Sequence, residues 1–158
     1  MAQNIITPTE VIAIAFSDGE YISAEAITAS DIVAATERWI RPIVGQALLD
    51  EVAKGRYAEL KEEYIIPAMA VCTRLLVQPR LNVQTSQLGL SSPASNHHKA
   101  ADGKARAELQ RALRQRAQSL RERLSDHLEQ HAAEYKEYNT KENILNRCRC
   151  DGGFVQIL

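Results

Sequence analysis

Aromatic residues are scarce in this chain, at 5%, and that scarcity narrows the kinds of core it can build. A core short of Phe, Tyr and Trp is filled by Ala, Leu, Ile and Val, which suits closely packed helices better than a β-sandwich. Cysteine is sparse as well. Cys72, Cys148 and Cys150 are an odd set, which excludes a disulfide framework and makes reduced thiols the expectation. No long apolar run occurs: the longest, Ile65 to Val71, contains Pro67 and is far too short to span a bilayer. The opening residues lack the basic and apolar regions of a secretory leader, so cytoplasmic synthesis with no membrane partner is expected. Charge of one sign is lacking too, since a formal net charge of -1 gives no global attraction to nucleic acid or anionic lipid.

What is present is helix grammar. The 158 residues are enough for one domain with a real core. Thr7-Pro8-Thr9-Glu10 is a capping-box start with Pro at the first helical position, and it predicts a short helix ending near Ser17-Asp18-Gly19. Thr28-Ala29-Ser30-Asp31 repeats the signal. The helix it opens carries Ile32, Ala35, Trp39, Ile43, Ala47 and Leu48 at three-to-four spacing, with a kink or break expected at Pro42 and a stop at Lys54-Gly55. A third helix is predicted from about Tyr57 to Val77, bent at Pro67 and ended by Pro79. The fourth and longest spans about Ala105 to Tyr135. Its seam of Leu109, Leu113, Ala117, Leu120, Leu124, Leu128 and His131 is narrow and near-heptad.

Two segments break the pattern. Residues 81–103 are rich in Ser, Asn, Gln and Gly and read as a flexible inserted loop. In the tail, Asp151-Gly152-Gly153 is a turn signal that predicts a hairpin closing on Phe154, Val155 and Ile157, a marginal unit unless it docks. The fold class expected is therefore mainly α: a small bundle of about four helices over residues 1–140, with a long C-terminal helix, and a short terminal β-hairpin in the 141–158 tail.

Chemistry-bearing patterns are few. His127 and His131 share a helical face at metal-ligand spacing, but Leu128 stands where a zinc protease needs Glu. Cys148 and Cys150 would face one side of a strand and could join that pair in a zinc site, without matching a common finger spacing. The chain has no phosphate-loop glycines, nucleophile elbow or dinucleotide fingerprint, so no enzyme and no cofactor are expected. Arginines from Arg106 to Arg123, Arg111 and Arg114 among them, lie around the long helix without interleaved aromatics, which suits non-specific phosphate contact more than sequence readout. From Glu10 to Glu63 acidic residues dominate, so the chain has an acidic end and a basic end that could stack against copies of itself.

Three stretches carry a resemblance: Ile5-Ile6-Thr7-Pro8-Thr9-Glu10-Val11-Ile12, the Trp39-Ile40-Arg41-Pro42-Ile43-Val44-Gly45 run with Tyr64-Ile65-Ile66-Pro67-Ala68 after it, and the order of elements, with a Ser-rich loop before a long last helix ending near Tyr135 and Tyr138. Over about residues 5 to 140 the chain resembles head–tail connector (adaptor or head-completion) proteins of tailed bacteriophages, in particular those of Bacteroides-type prophages. The resemblance implies a non-enzymatic virion protein that forms a homo-oligomeric ring in the neck and bridges portal and tail components. It also implies contact elements in the loop and tail, with Leu88, Leu90, Phe154, Val155 and Ile157 as candidates beside Arg111 and Arg114. The Arg-rich helix and the Cys-containing tail depart from shorter family members. A helical accessory or nucleic-acid-associated protein, and a metalloprotein using His127, His131, Cys148 and Cys150, stand as alternatives.

Overall fold

A computed structural model of the chain describes residues 5–16, 22–82, 84–86, 89–91, 102–151 and 154–157. Its first elements begin where the caps lie. In helix α1 (Pro8–Ala15) the Glu10 amide donates to Thr7 Oγ1 at 3.3 Å, and the Thr7 amide donates to Glu10 Oε2 at 2.7 Å. Helix α2 (Ala29–Ala35) starts on the same reciprocal pair, Thr28 with Asp31. A 3-10 turn at Ala24–Ala26, capped by Ser23, precedes it. Each box satisfies donors that the first helical turn leaves unpaired.

Pro42 and Pro67 are each preceded by a wide turn of helix. Helix α2 does not break before Pro42; it widens into a π segment, Thr36–Ile40, and continues as α3 (Arg41–Val44). The same happens ahead of Pro67, where α5 (Ala58–Leu60) runs through a π segment, Lys61–Ile65, into α6 (Ile66–Asn82). In both places the residue just before the proline donates five residues back, Arg41 to the Thr36 carbonyl and Ile66 to the Lys61 carbonyl. A proline cannot donate, and its ring crowds the carbonyl four residues back; a single wide turn relieves that crowding without ending the helix. Between α3 and α4 (Gln46–Ala53), Gly45 turns the chain at φ 81, a region that favours glycine.

Helix α6 is the centre of the molecule. Ala68, Met69, Ala70, Val71 and Cys72 are consecutive and all buried, and α6 packs against α1, α2 and the long helix α7 (Gly103–Gln130). It is enclosed on every side over these turns. Helix α6 also continues through Pro79 to Asn82, correcting the stop predicted there. Pro79 leaves the Leu75 carbonyl without its helical donor. The Gln110 side chain of α7 supplies one at 3.2 Å. With Leu81 and Asn82 in helix, the inserted loop starts later than residue 81.

Helix α7 has 28 residues and is about 42 Å long. Its predicted seam faces the core: Leu113, Ala117, Leu124 and Leu128 are buried, and Leu109 and Leu120 pack partly against it. The helix stops at Gln130 instead of Tyr135, with His131 as its C-cap, and turns follow. These turns fold back on the helix because Asn143, fully buried, donates to Ser125 Oγ and to the Tyr138 hydroxyl, each at 2.8 Å. The Tyr138 hydroxyl in turn donates to Glu129, and the Leu145 amide to Asn143 Oδ1 at 3.0 Å. Helix α8 (Ile144–Arg147) leads into the tail.

Backbone pairing outside the helices is short: β1 (Gln84–Ser86) antiparallel to β2 (Gly89–Ser91), and β3 (Cys148–Asp151) antiparallel to β4 (Phe154–Ile157), with Cys150 opposite Val155. The body of the protein is mainly helical, as expected. Among the described residues, no helix is long and apolar enough to cross a membrane.

Candidate functional site: two clefts flanking the long helix

The first cleft lies between the π segment of residues 36–40 and α7. Arg38 and Trp39 belong to that wide turn, and the Arg38 guanidinium sits over the Trp39 ring at 4.8 Å from its centroid. Across from them, Arg114, Gln118 and Arg121 line up on one face of α7 at spacings of four and three. Leu75 of α6 and Leu145 of α8 close the apolar end of a cavity of about 410 Å³. The electrostatics are one-sided. Glu122 is the one carboxylate among the lining residues, and it accepts from Gln118 Nε2 at 2.8 Å. None of the three arginines has an ion pair among the described residues, and Arg121 Nε is buried with no hydrogen-bond acceptor. A buried donor of this kind costs about 1–3 kcal/mol unless something accepts from it.

The second cleft, about 430 Å³, lies on the opposite flank of α7. His127 stacks on Tyr64 with ring centroids 3.9 Å apart and on His131 at 4.4 Å, and Arg123 caps Tyr64 at 4.6 Å. His127 Nε2 lies 2.9 Å from the Tyr135 hydroxyl, and His131 Nδ1 donates to the His127 carbonyl at 3.0 Å. The i,i+4 histidines therefore form a stack in which one nitrogen of each ring, His127 Nε2 and His131 Nδ1, is engaged within the chain. Burial, and then the neighbouring His131, hold the His127 imidazole below its ordinary value. Burial raises the Tyr135 phenol. Tyr57, in a left-handed conformation at φ 56, meets Tyr135 edge-on at 5.1 Å and donates to Glu137 at 2.8 Å. Among the described residues no group of three or more His, Cys, Asp or Glu side chains could hold a metal.

The residues singled out from the sequence are scattered. Arg111 and Arg114 are exposed on α7, and Arg114 joins the first cleft. Leu88 lies outside the described residues. Leu90 falls opposite Thr85 in the first strand pair; Phe154 falls opposite Asp151, Val155 opposite Cys150, and Ile157 opposite Cys148 in the second. Arg38, Trp39 and Arg121 were not linked by sequence reasoning. The two-turn spacing of Arg114 and Arg121 was readable, but their approach to the π segment is tertiary. Arg74 was missed altogether. It is buried in α6, donates to the Ala15 carbonyl at 2.5 Å and lies over the Phe16 ring at 4.3 Å, tying the end of α1 to the centre. Cys72 is equally enclosed, its thiol pushed up to about 12 by burial.

No curated protein and no solved structure matches the chain. A family model does match, from Arg38 to Arg147, and both clefts fall within that span. The chain belongs to the family of unknown function DUF6712, which it matches over residues 38–147.

Proposed function

We propose that this chain is a non-enzymatic structural protein of a tailed phage, a head–tail connector or adaptor that oligomerises in the virion neck and bridges portal and tail components. One observation carries the reading: exposed charges of opposite sign stand on different elements of the bundle. Arg111, Arg114 and Arg116 are exposed on α7, and Glu59, Glu62 and Glu63 are exposed on the turns leading into α6. None of these six has an ion pair among the described residues. Unpaired charges of opposite sign on separate elements favour head-to-side stacking of copies, the heterologous contact from which rings are built. The sequence resemblance to connector proteins supports the same reading. In it, the terminal hairpin ending in Phe154, Val155 and Ile157 adds strands to a neighbouring protein, and the segment around Leu88 and Leu90 is a second joint.

Light scattering on the purified chain over a range of concentrations, at low and at moderate salt, tests this. The expected result is a mass that rises steeply with concentration and falls back with salt, as screening weakens exposed charge pairs. A single small species at every concentration and salt would count against self-assembly and return weight to an accessory-binding role.

A further inference from the structure

The geometry points to the first cleft as a binding site for a dianionic phosphoryl group, of the kind carried by a phosphate monoester. This stands apart from the connector reading and needs no second copy of the chain. Three guanidiniums, Arg38, Arg114 and Arg121, border one cavity that holds a single carboxylate, Glu122, already turned toward Gln118. The surplus is two positive charges, which a dianion neutralises and a carboxylate or a backbone phosphodiester does not. Arg121 Nε adds direction to the charge. It is a buried donor with no acceptor among the described residues, and an oxyanion in the cleft would be that acceptor. Guanidinium groups suit this task because their forked donors match the oxygens of a phosphate in pairs.

Size and lining define the rest of the ligand. A cavity of about 410 Å³ is larger than a phosphate and falls in the range of small-molecule sites. Beyond the arginines its walls are Trp39, Leu75 and Leu145, so the phosphoryl group would carry a modest apolar or flat substituent.

Trp39 is the one tryptophan in the sequence, so its fluorescence reports on this cleft alone. Inorganic phosphate titrated into the full chain at pH 8, where it is a dianion, is expected to change Trp39 emission saturably. Chloride and acetate at matched ionic strength should not, nor should a single-stranded oligonucleotide lacking terminal phosphates. Arg121→Gln and Arg121→Lys should each weaken phosphate binding about tenfold or more, the Lys variant because it keeps the charge but loses Nε. Lys104→Gln, on the same helix outside the cleft, should bind as the parent does. Arg38→Gln, at an exposed position, repeats the test if the Arg121 variants fold poorly by circular dichroism. Equal responses to phosphate and chloride, unchanged binding in the cleft variants, or acetate or the oligonucleotide binding as well as phosphate would each overturn the assignment.

Discussion

Replacing Gln110 by Ala takes away the donor that α7 lends to the Leu75 carbonyl, at 3.2 Å, in place of the one Pro79 cannot give. The contact is half-buried, so its loss costs a net neutral hydrogen bond plus part of the desolvation of an unpaired carbonyl, about 1 kcal/mol together. In urea, with a slope of roughly 2 kcal/mol/M for a chain of this size, that lowers the unfolding midpoint by about 0.5 M. The sharper measurement is a double-mutant cycle. Pro79→Ala returns a backbone N–H to position 79, which reaches Leu75 as in any helix, and Gln110 becomes redundant. Gln110→Ala in that background should then cost close to nothing, giving a coupling of about 1 kcal/mol between residues on different helices. If Gln110→Ala costs the same in both backgrounds, Gln110 is not compensating for the proline and the account of how α6 passes Pro79 is wrong.

Asn143→Ala should cost about 1–3 kcal/mol in urea unfolding, since it orphans partners at Ser125 and Tyr138 and releases the segment after α7. The His127 imidazole is held below its unfolded value, so the unfolded chain binds more protons. Stability is therefore expected to fall as pH drops through and below about 6.5, and His127→Phe should flatten that dependence in thermal melts from pH 7 to 5 while keeping a ring in the stack. Gly45→Ala should lower stability by about 1 kcal/mol because its φ of 81 is strained for any residue with a Cβ, although nothing lies within 4 Å to clash; an unchanged midpoint would contradict this.

The parts of this fold that can be read from the chain are those whose causes are local. Thr7 with Glu10 and Thr28 with Asp31 act across three residues, so the starts of α1 and α2 are written where they occur. The α7 seam is legible because one side of that helix is wet and the other dry, which leaves a period in the sequence. Helix α6 leaves no such period, because it is covered all round. Pro79 reads as a terminator until Gln110, far away in sequence, is placed beside Leu75. The end of α7 at Gln130 depends on Tyr135, Tyr138 and Asn143 returning to the helix they would otherwise extend. For the candidate site the same division holds. Arg114 stood out as part of a basic helix, but its neighbours Arg38 and Trp39 come from a turn whose widening only Pro42 explains, and no spacing rule links the two stretches.

The central place of α6 also bears on how the chain is made. Its coverings come from both directions in sequence, α1 and α2 before it and α7 after it. On the ribosome, α6 emerges with its α7-facing side bare, and nothing closes that side until Leu113 to Leu128 have been synthesised. At roughly 5–20 residues per second, that is an interval on the order of seconds. During it the nascent chain carries an uncovered apolar surface that a chaperone would hold and a neighbouring nascent chain could capture. Truncations between Asn82 and Gly103 freeze the molecule at that moment, and are expected to be recovered in aggregates while the full chain is recovered soluble.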